Sequence, residues 1–449
     1  MIAKIKNTLA DLGPGLLYAG AAVGVSHLVM STKAGALYQY WLLLLIPLIH
    51  VIKYPFYKFG PQYTAITGKN IIHGYRALGK WAVYVYIGMT LVTMCLIQAA
   101  VTIVTSSIAV KFFKLDISKG YMPHVPAIIV LLIAAAILSI GKYSILDKLM
   151  KVIILILTVT TIIALSTILV TSPGGLNEGS ASFSLGQYAD VMFLAAFLGW
   201  MPAPLDISVW HSVWSEEANK GKTEKTSLKK AILDFKVGYI GTGCLAMCFL
   251  LLGALVMFGD AEKPSAKGIV FAGQLIDMYT KALGPWAYYL IGVAALATMF
   301  STTLTCLDAY PRTLEKSIVI LKDDNSGSEG QNKKIYLVML FVAVLGTVIA
   351  FFLIKNVKGA MGLIVLTATV VSFISAPILA VMNYLVFKGT TIPDEHKPKG
   401  LLKAWCRLGI AVLAISSILY IWVVFIKEKP ESPKAQVPVI EKILNDQKN

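Results

Sequence analysis

Two short segments place side chains that can bind a metal ion inside otherwise apolar stretches of the chain. In the first, residues 21–27 read AAVGVSH, and in the second, residues 199–206 read GWMPAPLD. The imidazole of His27 and the thioether of Met201 are ligands for transition metals, and a carboxylate such as that of Asp206 suits divalent cations in general. We therefore predict that His27, Met201 and Asp206 are ligands of a divalent cation.

Each of these three residues also has a purely structural interpretation. Asp206 can cap a helix or pair with a basic residue, His27 can bond to a carbonyl group of an unwound helix, and Met201 can simply fill space. An ionisable side chain within a membrane span is costly and usually serves function. This cost favours the functional interpretation of Asp206, while both interpretations of His27 and Met201 stay open.

Both segments also contain residues that interrupt a helix, glycine in the first and Pro202 and Pro204 in the second. Lipid cannot satisfy a free backbone N–H or C=O group, so such breaks are tolerated only where they line a cavity or are buried in protein. Interrupted spans at corresponding places in two halves of a chain indicate the substrate site of a transporter. Including carbonyl groups freed by the breaks, the predicted substrate-binding residues are Gly24, Ser26, His27, Leu198, Trp200, Met201 and Asp206.

The composition identifies the class of protein. Hydrophobic residues make up 57% and charged residues 14% of the 449, and the mean hydropathy is +0.73. Several uncharged runs exceed the ~20 residues that an α-helix needs to cross a bilayer. These values predict an all-α polytopic membrane protein. We expect about eleven transmembrane helices, at residues 13–32, 39–59, 81–112, 123–141, 147–171, 188–213, 233–258, 284–308, 335–354, 359–387 and 402–426.

The order of the spans predicts two five-helix repeats of inverted topology, each opening with a broken helix, so that helices 1 and 6 are the broken ones. The expected parts are a cytoplasmic N-terminus at 1–12, repeats at 13–171 and 188–387, an extra eleventh helix at 402–426 and a mobile tail at 427–449.

Lysine and arginine lie mainly in alternate loops, which predicts a multi-pass protein of the cell membrane with a cytoplasmic N-terminus and, with eleven spans, an external C-terminus. The net charge of +16 then reflects topology and contact with anionic membrane lipid. No basic stretch is interleaved with exposed aromatic residues, so we do not expect nucleic-acid binding.

Three hydroxyl groups in the eighth span form a second candidate site. Ser301 and Thr305 are four residues apart and share a helix face, and Thr302 lies beside them. Such hydroxyls can bind sodium or another coupling ion together with the freed carbonyl groups of the first span, or they can bond to their own helix. One turn further on, Asp308 and Arg312 are spaced for an ion pair.

Several motifs resemble those of the Nramp (natural resistance-associated macrophage protein) family of divalent-metal transporters. They are LGPG at 12–15, TGK at 67–69, MP at 201–202, HS at 211–212 and STTLT at 301–305. The resemblance implies the fold of the amino-acid/polyamine/organocation superfamily and the transport of a divalent metal cation by alternating access. It implies no enzyme activity, and no catalytic motif such as HExxH or GxSxG occurs. We expect no cofactor other than the metal as substrate.

The chain also departs from the family pattern. Residues 24–27, GVSH, stand where the family has Asp-Pro-Gly-Asn, and no acidic residue lies between Met89 and Val110, where the family has acidic residues linked to proton movement. These differences predict an altered metal site and a symport function with weak or absent proton coupling. The aromatic residues Tyr18, Trp200 and Trp210 near the two breaks support an alternative, a small organic solute as substrate that is sodium-coupled through the eighth span. The sequence does not set the oligomeric state.

Overall fold

The structure is a computed structural model, and it describes residues 13–115, 124–140, 143–172, 181–220, 222, 224–259, 264–265, 267–322, 329–353, 367 and 371–425. The regular secondary structure of these residues is helical. The predicted N-terminal segment 1–12, the tail 427–449 and much of the tenth span lie outside the described residues.

The helices follow one another as expected for a polytopic membrane protein. They are α1 (Pro14–Ala22), α2 (Thr32–Tyr38), α3 (Leu45–Thr67), α4 (Ile72–Leu78), α5 (Lys80–Phe112), α6 (Val125–Ile140), α7 (Tyr143–Thr171), α8 (Tyr188–Trp200), α9 (Asp206–Asn219), α10 (Leu228–Leu252), α11 (Gly268–Leu283), α12 (Ala287–Leu321), α13 (Glu329–Leu353), α14 (Ala376–Lys388) and α15 (Gly400–Phe425). Among the described residues, 7 helical segments are long and apolar enough to cross a membrane. The all-α fold is therefore confirmed, while the count of eleven spans stays a prediction.

The two predicted helix breaks are present. Between α1 and α2 the chain runs through a π-helical segment, Val23–Ser31, in which Gly24 has non-helical angles (φ −70°, ψ −114°). Between α8 and α9 the helix stops at Met201, which is extended (φ −89°, ψ 135°), and the Met201–Pro202 peptide bond is cis. Helices 1 and 6 of the predicted topology are thus each divided into two halves.

Carbonyl groups of α3 accept hydrogen bonds from other helices. Pro55 has no N–H group, so the carbonyl oxygen of Val51 is free to accept a hydrogen bond from Trp405 Nε1 at 2.9 Å. One turn further on, the carbonyl oxygen of Phe56 accepts hydrogen bonds from Ser208 Oγ at 2.8 Å and Asn383 Nδ2 at 3.0 Å. These bonds connect α3 to α9, α14 and α15 and fix its position beside the second break.

Glycines allow α1 to lie directly against α10. A Cβ atom on Gly15 would lie 2.2 Å from the carbonyl oxygen of Asp234, and one on Gly238 would lie 2.2 Å from that of Gly15. Small residues at a helix contact let the two backbones approach, which is how helices associate within membranes. These close contacts hold the start of α1, which precedes the first break in the chain, at a defined position against α10.

Candidate functional site

The two breaks meet at a small cavity whose lining residues are all buried. About 10 Å³ of it is open to the centre of a water molecule, which is room for about one water. The lining includes three residues of the predicted site, Ser26, Trp200 and Thr302, and the aromatic ring of Trp210. His27, Met201 and Asp206 are not among its lining residues.

At the first break, the side chains of Ser26 and His27 turn back onto α1. Ser26 Oγ donates to the carbonyl oxygen of Ala22, and His27 Nδ1 lies 2.7 Å from the same oxygen. Nδ1 also lies 2.6 Å from Ser26 Oγ, whose own proton goes to the Ala22 carbonyl oxygen. Since a carbonyl oxygen can only accept, Nδ1 carries the proton and Nε2 keeps its lone pair. Nε2 is buried and has no hydrogen-bond partner. A histidine that ligates a metal commonly has this arrangement, with its other nitrogen bonded to a carbonyl group.

At the second break, Asp206 is the first residue of α9 and is 1% exposed. Neither of its carboxylate oxygens has a hydrogen-bond partner. The hydroxyl of Thr93 is close to the carboxylate, but Thr93 Oγ1 donates to the carbonyl oxygens of Met89 and Thr90. The start of a helix favours negative charge nearby, which partly offsets the cost of burying the carboxylate.

The other buried aspartates in the described part of the chain all have partners. Tyr38 donates to Asp190 at 3.0 Å, and the backbone N–H of Gly15 donates to Asp234 at 2.7 Å. Asp308 forms the predicted ion pair with Arg312, whose Nη2 lies 2.6 Å from its Oδ1. Asp206 is therefore distinguished from them by an uncompensated carboxylate beside a helix break.

Side chains of α3 bind the carbonyl groups of the second break. Lys53 Nζ donates to the carbonyl oxygen of Leu198 at 3.0 Å and to that of Met201 at 2.7 Å, and Tyr57 Oη donates to that of Ala203. Lys53 is only 4% exposed. The carbonyl group predicted at Leu198 as a cation ligand thus already binds an ammonium group. Neither Lys53 nor Tyr57 was among the predicted site residues, although a lysine within an apolar span is itself a signal of function.

The hydroxyl groups of the eighth span behave in two ways. Ser301 Oγ and Thr305 Oγ1 donate to carbonyl oxygens of α12 itself, those of Thr298 and Ser301. Thr302 Oγ1 lies 2.9 Å from the carbonyl oxygen of Gly20 on α1, as well as 3.1 Å from that of Thr298. The hydroxyl of Thr302 thus meets the first broken helix directly, and the sodium site predicted at these residues stays a prediction.

The described residues contain no group of three or more His, Cys, Asp and Glu side chains that could hold a metal ion. The structure therefore brings Ser26, Trp200 and Thr302 to one cavity but provides no ready-made cluster of strong ligands there. Metal binding through His27, Met201 and Asp206 remains a prediction.

Polar contacts close the end of the molecule at which α1 begins. Asp234 accepts hydrogen bonds from the backbone N–H groups of Gly13 and Gly15, and its Oδ2 lies 3.8 Å from Nε2 of His211 on α9. Near the end of α9, Glu217 pairs with Lys316 of α12 at 3.3 Å. These contacts join α1 to α10 and α9 to α12.

Long apolar helices, two of them broken where they meet around a buried cavity, define a multi-pass membrane transporter. The chain belongs to the Nramp family: the model of natural resistance-associated macrophage protein-like sequences matches residues 15–425. The family assignment predicted from the scattered motifs is confirmed, and so is the prediction that the chain is not an enzyme.

One relative and two solved structures are similar to this chain over most of its length. An uncharacterised protein of Pasteurella multocida (strain Pm70) is 36% identical over 418 residues, 92% of this chain and 92% of its own length. A manganese transporter of Eremococcus coleocola has a TM-score of 0.69 at 16% identity, covering 98% of this chain and 92% of its own. MhsT, solved with L-phenylalanine, has a TM-score of 0.60 at 14% identity, covering 92% of this chain and 98% of its own. At such identities the two solved structures show the fold alone.

Proposed function

We propose that the protein is a secondary transporter that carries a divalent metal cation past the two broken helices by alternating access. Symport of protons is weak or absent in this proposal, because α5 contains no acidic residue. The proposed setting is the cell membrane, with the N-terminus in the cytoplasm.

The observation that carries the proposal is the carboxylate of Asp206. A carboxylate buried without a counter-charge or hydrogen bonds is costly, and either a proton or a cation removes that cost. The other buried aspartates described above already have partners, so Asp206 alone among them has both oxygens available. Its place at the start of α9, next to the break, puts this charge where the helix is interrupted.

Two further observations support a metal as the cargo. Nε2 of His27 is buried with a free lone pair at the first break, and the similar Eremococcus coleocola protein is a manganese transporter. The ligand set is weaker than a cluster of several carboxylates would be. We therefore propose a cation that retains part of its hydration shell, which requires the cavity to widen in an open state.

Uptake of Mn²⁺ into proteoliposomes tests the proposal. Asp206→Asn keeps the size of the side chain and removes its charge, and His27→Ala removes the imidazole. Asp190→Asn is a matched control, because Asp190 is also a buried aspartate of the sixth span but has partners. We expect saturable uptake by the wild type and Asp190→Asn, and at least a ~10-fold loss in Asp206→Asn, which corresponds to about 1.4 kcal/mol of binding.

A small organic solute is the second candidate substrate, and the aromatic lining of the cavity favours it. Trp200 and Trp210 both line the cavity, and aromatic rings bind organic cations through their faces. Mn²⁺ uptake no faster than in empty vesicles for the wild type and all variants would contradict the metal proposal and leave this second candidate.

A further inference from the structure

The end of α8 carries carbonyl groups that the helix itself cannot satisfy. The last carbonyl groups of any α-helix lack N–H partners, and together they give that end a partial negative charge. Here the helix stops inside the protein, where water is scarce. The carbonyl groups of Leu198 and Met201 therefore need donors from outside α8, and both receive them from one side chain.

That side chain is Lys53, and its ammonium group is bound as a free cation would be. It lies 3.0 Å from one carbonyl oxygen and 2.7 Å from the other, and the residue is 4% exposed. No carboxylate of the described residues lies within ion-pair distance of Nζ, so neutral oxygen atoms and the negative end of α8 hold the charge.

We propose that the carbonyl groups at the end of α8 form a binding site for a monovalent cation of ammonium size, and that the chain fills this site permanently with Lys53. The four-carbon side chain of lysine acts as a tether from α3. One turn further along α3, Tyr57 donates to the carbonyl oxygen of Ala203, so α3 satisfies the break at three carbonyl groups.

The filled site has a consequence for transport. The Nζ of Lys53, held by the carbonyl oxygens of Leu198 and Met201, makes a separate monovalent cation unnecessary at this break. Removing the side chain beyond Cβ should leave an empty site that a small free cation can enter. This inference concerns a monovalent cation and holds whether or not the cargo is Mn²⁺.

Thermal unfolding of purified Lys53→Ala tests the inference without any transport substrate. Melting midpoints are compared in methylammonium chloride and in choline chloride at the same concentration, because choline is too large for a site of ammonium size. Ligand binding to the folded state raises the midpoint, and we expect a rise of about 2 °C at ~0.1 M methylammonium for Lys53→Ala. The wild type should melt alike in both salts.

Two control variants separate a cation site from a general salt effect. Lys53→Met fills the same space with an uncharged chain, so methylammonium should have no effect on it. Lys33→Ala removes another buried lysine, whose Nζ lies 3.5 Å from one carbonyl oxygen, that of Ser265, and 5.8 Å from the centre of the Phe271 ring. Because this lysine is not held by two carbonyl oxygens, Lys33→Ala should also show no effect. If Lys53→Ala does not fold, Lys53→Ser serves, since its hydroxyl is too short to fill the site.

The inference is overturned if the Lys53→Ala or Lys53→Ser protein melts at the same temperature in methylammonium and in choline. It is equally overturned if Lys53→Met or Lys33→Ala gains as much stability from methylammonium as Lys53→Ala does. Failure of Mn²⁺ uptake would leave it unaffected, because no metal enters this experiment.

Discussion

Substitution of Gly24 by alanine should disrupt the contact between the first break and α12. A Cβ atom at this position would lie 2.6 Å from both Cγ2 and Oγ1 of Thr302. Carbon atoms in contact prefer about 3.5–4.0 Å, so Thr302 must withdraw by roughly 1 Å. This movement breaks its hydrogen bond to the carbonyl oxygen of Gly20, which is 2.9 Å long.

The expected cost of Gly24→Ala combines two effects. Overpacking of a core costs about 1–3 kcal/mol, and loss of the hydrogen bond adds about 1 kcal/mol. The midpoint of thermal unfolding, followed by tryptophan fluorescence in detergent, should fall by roughly 2–4 °C. Gly88→Ala is the control, because no atom lies within 4 Å of a Cβ atom there, and it should leave the midpoint nearly unchanged.

A double variant separates this contact from general damage. Thr302→Ala removes the two nearest of the three Thr302 atoms that a new Cβ would strike and leaves only the Cβ of residue 302, 2.9 Å away. In combination with Gly24→Ala it should therefore cost at least ~1 kcal/mol less than the sum of the two single effects. Strictly additive effects, or a Gly24→Ala protein as stable as Gly88→Ala, would refute the contact as described.

Three other substitutions probe polar contacts of Asp234, Asp308 and Glu217 by thermal unfolding in detergent. Asp234→Asn weakens the cap on the start of α1, and the free energy of unfolding should fall by about 1 kcal/mol; an unchanged midpoint would contradict the cap. Arg312→Met leaves the carboxylate of Asp308 buried without its cation and should cost about 3–5 kcal/mol, with part of the loss recovered in the Asp308→Asn double variant. Burial raises the pKa of Glu217, but the nearby positive charges, chiefly the ammonium group of Lys316, have the larger combined effect, so the pKa is lowered. The contact of ionised Glu217 with Lys316 therefore stabilises the folded protein at neutral pH, and this stabilisation is lost as the pH falls through the pKa of Glu217 in the folded state. Lys316→Met removes the contact and should reduce the loss of stability on acidification.

The broken helices could be predicted because the signals that cause them are local. Gly24 removes the side chain at the first break, and Pro202 and Pro204 remove backbone N–H groups at the second. The ion pair of Asp308 and Arg312 was equally accessible, since residues four apart face one another on any helix. Membership of the Nramp family followed from short motifs in the expected order.

The contacts of Lys53 were not predictable in the same way. They depend on α3 packing beside the end of α8, although Lys53 and Leu198 are separated by 145 positions in the chain. The same is true of Tyr38 as a partner of Asp190, and of Gly13 and Gly15 as partners of Asp234, because these partners lie far away in the chain. The sequence contained a hint, a lysine within an apolar span, but nothing in it indicates which carbonyl groups the ammonium group reaches.

Equilibrium binding of Mn²⁺ to the purified protein tests the proposed cargo most directly. Dialysis of the wild type, Asp206→Asn and Asp190→Asn against Mn²⁺ measures binding without any assumption about coupling or direction of transport. The account predicts saturable binding to the wild type and to Asp190→Asn, and its loss in Asp206→Asn. Binding that is absent in the wild type, or equally strong in Asp206→Asn, would contradict the role assigned to this carboxylate.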